Sequence, residues 1–278
     1  MILEKFSLEG KVAIVTGGGT GLGKAICHAF ARAGADIVTA ARRPEPINET
    51  AAEVRKIGRR AIAIPTDVTD SRQVDHLMES AIREFNTVDI LVNNAGIARG
   101  IEPSPWDPTP ILPGPIWELD DDKWRNAIDI NLTGTFYCCR AIAKYMIERR
   151  SGKVINMSSV GGIRGPKGWF TYSSAKAGVI MLTKTLAVTW ARENIQVNCI
   201  APGFLKIWEG KASGLPERNP DFIPMGRFGE AKDIGPLAVY LASEASDYVT
   251  GECFVLDGIA SAGYAPTGYA PIFPLEGS

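Results

Sequence analysis

The sequence predicts a single doubly wound α/β domain over residues 1–278, built on a seven-stranded parallel sheet with helices on both faces. Three observations predict it. Seven short runs rich in β-branched residues recur along the chain, longer amphipathic stretches separate them, and a glycine-rich turn follows the first run. The runs are Val12–Thr16, Ile37–Ala40, Ala61–Pro65, Val88–Val92, Val154–Met157, Ile195–Ile200 and Cys253–Leu256. They are apolar on both faces, as strands covered from both sides are. The helical patterns include Gly23–Ala33, Ser71–Phe85, Lys123–Arg149, Thr171–Glu193 and Glu230–Ala242. Strict alternation of the two kinds calls for right-handed crossovers and parallel strands. Ligands of such sheets bind outside the carboxyl ends of the strands, so residues just past each strand are the candidates for chemistry.

Two stretches depart from the alternation. Residues 99–118 read as an insertion whose core, Ile101–Trp117, holds six prolines with Trp106 and Trp117, a composition incompatible with helix or central strand. Because it follows the fourth strand at its carboxyl end, it is expected to border a substrate pocket or, alternatively, to decorate the surface or a subunit contact. Residues 260–278 form an extended tail with a short echo, Gly263-Tyr264-Ala265-Pro266 and Gly268-Tyr269-Ala270-Pro271.

Composition excludes several classes. The 278 residues suit one large α/β unit. Thirty basic and 31 acidic residues give a net charge of −1, with no basic run. A nucleic-acid partner, which needs a concentrated cationic face, is not expected. The five cysteines, Cys27, Cys138, Cys139, Cys199 and Cys253, include no C-x-x-C and fit reduced thiols in a reducing compartment. With only His28 and His76 beside them, no zinc site and no catalytic histidine are expected, which argues against a metal-dependent alcohol dehydrogenase. Met1–Gly10 carries Glu4, Lys5 and Glu9 rather than a signal sequence, and no apolar stretch approaches a bilayer span. A soluble cytoplasmic protein with no membrane partner is expected.

The first strand enters Thr16-Gly17-Gly18-Gly19-Thr20-Gly21-Leu22-Gly23, and a helix follows. Glycines let the backbone turn sharply and let a pyrophosphate reach amide N–H groups, while the helix start adds free donors and a partial positive charge. After the first strand of an α/β chain this pattern reads as a Rossmann-type nucleotide site. The spacing from Gly18 to Gly23-Lys24 also fits most of a triphosphate P-loop, but Ala25 stands where that motif needs a magnesium-binding hydroxyl. The second strand ends at Ala40-Ala41 and is followed by Arg42-Arg43, with no acidic residue to hold a ribose 2′-hydroxyl. A guanidinium at Arg42 suits a 2′-phosphate, so NADP is preferred and NAD possible; the plain alternative is a solvated loop arginine.

Further on, Tyr172 and Lys176 lie four residues apart on one helical face. A cation beside a phenol favours the ionised form, so Lys176 is expected to lower the pKa of Tyr172 and ready it for proton exchange with a substrate oxygen. A Tyr-x-x-x-Lys pair alone is weak evidence. It stands in order with Thr16–Gly23, Asp67, Asn93-Asn94-Ala95-Gly96, Asn131, Ser159 and Pro202-Gly203. On these residues the chain, from about Gly10 to Gly258, strongly resembles the short-chain dehydrogenase/reductase family. Stretches near Met181–Ala201 and Pro224–Gly251 are similar to its 3-oxoacyl reductase and sugar-acid dehydrogenase branch.

The resemblance implies an NAD(P)-dependent oxidoreductase that interconverts a small-molecule ketone and a secondary alcohol. It implies that Asn131, Ser159, Tyr172 and Lys176 are catalytic. Ser159 precedes Tyr172 by 172 − 159 = 13 positions, which fits the family better than Ser158 does. Ser159 would hold the substrate oxygen. Lys176 would bind the nicotinamide ribose, and Asn131 would bend its helix around a proton-relaying water. Cofactor contacts are implied for Gly17, Gly19, Thr20, Gly21, Leu22, Gly23, Arg42, Asp67, Val68, Asn94, Ala95, Gly96, Tyr172, Lys176, Pro202, Gly203 and Leu205, with Asp67 and Val68 at the adenine. A homotetramer through the helices holding Asn131 and Tyr172 is implied as well. The chain departs from the family at three places: Ile207 where a threonine is common, Asp257-Gly258-Ile259 in place of Asp-Gly-Gly, and a 35-position interval from Gly96 to Asn131. A non-catalytic dinucleotide sensor or scaffold on the same fold is the competing reading, and retention of Ser159, Tyr172 and Lys176 argues against it.

Overall fold

In the computed structural model, which describes residues 1–97, 115–166, 168–206 and 223–262, strands and helices alternate from the first strand onward. In chain order the elements are β1 (Val12–Thr16), α1 (Gly21–Arg32), β2 (Asp36–Ala41), α2 (Pro44–Lys56), β3 (Ala61–Pro65), α3 (Ser71–Phe85) and β4 (Ile90–Asn93). There follow α4 (Asp121–Ile128), α5 (Gly134–Arg149), β5 (Gly152–Met157), α6 (Phe170–Trp190) and β6 (Ile195–Pro202). The last are β7 (Leu205–Lys206), β8 (Gly229–Glu230), α7 (Ile234–Ala242) and β9 (Cys253–Leu256). Seven strands form one parallel sheet in the order β3-β2-β1-β4-β5-β6-β9. The order reverses between β1 and β4, the place where doubly wound sheets open a crevice for ligands.

Two-residue periodicity sorts the core into two layers. Ala13, Val15, Ile37, Ile90, Val92 and Ile155 face one side, where Ile26 and Phe30 of α1, Val54 of α2 and Leu241 of α7 cover them. Val12, Ile14, Val38, Leu91, Val154 and Val197 face the other, under Leu77 of α3, Ile142 of α5 and Trp190 of α6. Each such buried side chain contributes roughly 1.5–3 kcal/mol by leaving water. Two helix starts are fixed by carboxylates: Asp70 accepts the Arg72 N–H at α3, and Asp120 accepts those of Asp122 and Lys123 at α4.

Several expectations are corrected. The stretch Lys123–Arg149 is not one helix: α4 and α5 flank a π-helical turn, Asp129–Thr133, containing Asn131. Ile101–Trp117 was expected to hold no helix, yet Ile116 and Trp117 open a short 3-10 turn, Ile116–Glu118, once the prolines end at Pro115; residues 98–114 lie outside the described residues. The fourth strand begins at Ile90 rather than Val88, and the sixth extends to Pro202. The Thr171–Glu193 helix closes with a 3-10 turn from Ala191, and α7 starts at Ile234 after another 3-10 turn. The small β7–β8 pair was not foreseen. Among the described residues no helix is long and apolar enough to cross a membrane.

The departure at Asp257-Gly258-Ile259 has a backbone consequence. Ile259 sits at φ 65°, a left-handed conformation that crowds a β-branched side chain. The Asp257 carboxylate holds the turn by accepting the N–H groups of Ile259 (2.8 Å) and Ser261 (2.7 Å). Ile259→Gly is expected to raise stability by about 1 kcal/mol, since the left-handed strain on isoleucine exceeds the extra entropy lost by glycine. Urea unfolding midpoints at constant slope measure this, and an unchanged midpoint contradicts it.

Candidate active site at the carboxyl ends of the strands

The glycine-rich turn after β1 is pinned from β4. The Thr16 hydroxyl donates to the Val92 carbonyl (3.3 Å) and accepts the N–H groups of Asn94 (3.0 Å) and Ala95 (3.1 Å). The Asn94 side-chain amide donates back to the carbonyls of Thr16 (3.0 Å) and Gly17 (3.2 Å). Gly23 lies under this brace, and a Cβ there would run into the Gly17 carbonyl oxygen and the Asn94 amide. Glycine is therefore required so that α1 can pack beneath the turn. Gly17, Gly19, Thr20, Gly21 and Leu22 make up the rest of the loop and the first turn of α1.

That first turn is where the fit to a dinucleotide is decided. Unlike α3 and α4, α1 has no side-chain cap: Thr20 stands at the N-cap without such a bond, and the first turn carries no acidic residue. Its leading N–H groups, with the positive end of the helix dipole, suit a pyrophosphate. Around it the other strand ends present the remaining candidates. Arg42 and Arg43 are exposed after β2 and make no ion pair among the described residues. Past β3, the Asp67 carboxylate accepts the Thr69 N–H (3.0 Å) and hydroxyl (2.8 Å), and buried Val68 packs over Gly134. At the end of β6 lie Pro202 and Gly203, whose N–H donates to the Leu256 carbonyl (2.9 Å); Leu205 is buried in β7. Ile207 lies outside the described residues.

The second half of the site gathers behind β5. Ser159 follows that strand, its Oγ accepts the Gly161 N–H (3.1 Å), and it stands near enough to the Tyr172 hydroxyl to draw the phenol's pKa down. The neighbouring Ser158 is committed elsewhere, donating to the Lys176 carbonyl (2.8 Å). One turn along α6 from Tyr172, Lys176 is only 4% exposed and donates to the Met157 carbonyl at 2.9 Å. With that one bond among the described residues, two of its three donors are left for hydroxyl groups. Burial lowers its pKa from 10.5 to about 8.

For Tyr172 the expected sign is reversed. Burial pushes its phenol above the ordinary value, and nearby Ser159 draws it back only in part. The reason is geometric: the Lys176 ammonium lies 5.7 Å over the centre of the phenol ring and is turned to the Met157 carbonyl.

Asn131 completes the group. It is fully buried in the π-helical turn, its Oδ1 accepts the Ile97 N–H (3.2 Å), and its amide donates to the carbonyls of Ile97 (3.2 Å) and Ala127 (3.0 Å). Gly96 sits between Asn131 and Lys176, where a Cβ would come within 2.8 Å of Asn131 Oδ1 and 3.3 Å of Lys176 Nζ. The strip Asn94–Ile97 is thus held on one side by Thr16 and on the other by Asn131.

Sequence alone does not single out Trp169. Its ring meets Tyr172 edge to face at a centroid distance of 5.8 Å, and the Gly161 position lies against the same ring. A tryptophan three residues before the tyrosine was the available signal. The Met157 carbonyl, whose backbone oxygen leaves no trace in the sequence, was equally beyond reach.

Residues 11–211 match the family model described as short chain dehydrogenase. The chain is 34% identical over 255 residues to the 3-oxoacyl-[acyl-carrier-protein] reductase of Thermotoga maritima, covering 90% of this chain and 98% of the relative. It is 38% identical over 268 residues to the 2-dehydro-3-deoxy-D-gluconate 5-dehydrogenase of Escherichia coli, covering 93% and 98%. Among solved structures, a 7α-hydroxysteroid dehydrogenase complexed with NADH and 7-oxo glycochenodeoxycholic acid superposes with a TM-score of 0.83 at 28% identity, over 96% of this chain and 99% of that one.

Proposed function

Because the chain belongs to the short-chain dehydrogenase family, an enzyme family of oxidoreductases that use NAD or NADP, we propose that it interconverts a ketone and a secondary alcohol with Tyr172 as general acid and base. The observation that carries this reading is the grouping of Ser159, Tyr172 and buried Lys176, whose ammonium lies 5.7 Å over the phenol ring. The α1 start, Asn94–Gly96, Lys176 and Pro202-Gly203 would hold a nicotinamide dinucleotide, which would supply or accept the hydride.

The chain's own residues handle the proton. With its Oγ already accepting from Gly161, Ser159 directs its own O–H to the Tyr172 oxygen or to a substrate oxygen beside it. Tyr172, kept neutral by burial, is a proton donor throughout the neutral range, the state that carbonyl reduction requires. Lys176, titrating near pH 8, exchanges protons close to neutrality and offers its free N–H groups to ribose hydroxyls. Asn131 fixes the strip bearing Gly96, so that no side chain intrudes beside Lys176.

The substrate is a small carbonyl or alcohol compound, the setting is cytoplasmic, and the assembly is a homotetramer. Exposed Phe136 on α5 and exposed Met181 and Val188 on α6 support the last of these, since they leave apolar area on the helices named for that contact. A carbonyl panel followed by nicotinamide absorbance tests the reaction. Turnover lost with Tyr172→Phe supports the reading; tight dinucleotide binding without oxidation of any panel member would make the chain a sensor instead.

NADP is the preferred dinucleotide, on the strength of exposed Arg42, which makes no ion pair among the described residues, and of the lack of an acidic residue at the end of β2. Arg42→Asp is expected to move the NADP-to-NAD ratio of kcat/KM by about ten- to hundredfold toward NAD, in line with one charge-assisted phosphate contact. No shift would make Arg42 a solvated bystander.

A further inference from the structure

The edge of the sheet brings two cysteines together. Cys199 on β6 and Cys253 on β9 are direct partners in the parallel register, so their side chains leave the sheet on the same face. Neighbouring strands run about 4.8 Å apart, inside the Cα separations that a disulfide spans. We propose that Cys199 and Cys253 form a reversible disulfide, which makes the β6–β9 edge a modification site for hydroperoxide-class oxidants.

The surroundings divide the two roles. Cys253 is half-buried and Cys199 is buried, so an oxidant in solution meets Cys253 first. Its thiol is held below the ordinary value, chiefly by neighbouring Cys199, with the exposed Lys184 ammonium assisting and Glu252 opposing. Burial pushes the other three cysteines up instead, Cys139 to about 12. Cys138 and Cys139 are adjacent, but successive side chains on a helix point about 100° apart and do not meet. β9 is the last strand of the sheet and only four residues long, so it can close the small remaining distance without moving a second neighbour.

The chemistry balances in two steps. The Cys253 thiolate attacks one peroxide oxygen, the O–O bond breaks, and with one proton water leaves, giving the sulfenic acid. The Cys199 sulfur then attacks the Cys253 sulfur. The S–S bond forms, the S–O bond breaks, and hydroxide departs as water with the Cys199 proton. The pair loses two electrons and two protons, the peroxide becomes two waters, and a dithiol reductant reverses the bridge by exchange. The bridge would lie within electrostatic reach of Lys176 and three residues before Pro202, where β6 reaches the candidate site.

The experiment exposes the folded protein to hydrogen peroxide, removes the excess with catalase, and unfolds it in acid with an alkylating reagent. Alkylatable thiols are expected to fall from five to three, 5 − 2, with the peptides carrying Cys199 and Cys253 linked, and dithiothreitol restoring all five. Cys253→Ser is expected to keep all four of its remaining thiols under the same exposure. Five free thiols in the natural protein, a sulfinic Cys253 with no link, or a link joining any other pair or two copies of the chain each overturns the proposal; the peptide map of the natural protein decides even where the variant folds poorly.

Discussion

Tyr172→Phe will lower kcat about a thousandfold or more while dinucleotide affinity stays within about a factor of two. The size follows from removing the group that moves the proton, an effect of about 10²–10⁴ for general acid–base catalysis, together with the loss of the Ser159 partner beside it. The selectivity follows from placement. The phenol and its ring contact with Trp169 lie on α6, whereas the pyrophosphate site is the start of α1, and removing one oxygen alters no packing in either. Because burial raises the phenol above its ordinary value, carbonyl reduction by the natural enzyme should hold up across neutral pH rather than decline as a lowered phenol ionises. Steady-state rates with fluorescence titration of the dinucleotide separate the two quantities. A residual kcat above a tenth of the natural value would remove Tyr172 from the mechanism.

Lys176→Met will act in opposite directions on rate and stability. Turnover should drop by about a hundredfold or more with the loss of the ammonium beside Tyr172 and the ribose site. Stability at pH 7 should rise by about 2–3 kcal/mol, because a charge held at 4% exposure with one hydrogen bond opposes folding. The sign follows from proton counts. Lys176 titrates near 8 when folded and near 10.5 when unfolded, so between those values the unfolded chain binds more protons and stability climbs with pH. Below about pH 8 the penalty is fully present; above about 10.5 it is gone. The drop from 10.5 to about 8, at about 1.4 kcal/mol per tenfold change in proton affinity, sets the upper limit at about 3–4 kcal/mol. Urea unfolding of both proteins at pH 7 and pH 9 should show their difference narrowing at the higher pH. A variant less stable than the natural chain at pH 7 would mean that Lys176 holds the site together rather than straining it.

What the sequence made legible depended on how local each cause was. Val12–Thr16, Ala61–Pro65 and Cys253–Leu256 were readable to the residue, because apolar runs between turn signals need no tertiary context. The same is true of α3, which has Asp70 at its start and left-handed Asn86 at its end. Periodicity did not show the break at Asn131, since apolar residues continue through it and Asn131 takes partners at Ile97, far away in the chain; only the family resemblance implied a bend there. The start of α2 is hard to read in the sequence, because prolines at 44 and 46 mask a helix start whose first turn needs no N–H partners. β7 and β8 are two residues each, too short for any periodicity. In the site, family spacing picked Ser159 over Ser158, and the Ser158 hydroxyl donates to the Lys176 carbonyl. The direction of the Tyr172 shift was misjudged because helical spacing shows that two side chains share a face but not which carbonyl one of them turns toward, nor how much water the fold excludes.

The bare start of α1 also ties the persistence of the folded chain to the surrounding metabolite pool. A ligand seated on those N–H groups favours the native state over the unfolded one, and each tenfold rise in its free concentration beyond saturation adds about 1.4 kcal/mol. A helix start sealed by an aspartate, as at α3, forgoes that dependence. Starved of dinucleotide, the chain would melt earlier and meet proteases sooner, so its abundance would follow the supply of the molecule it consumes.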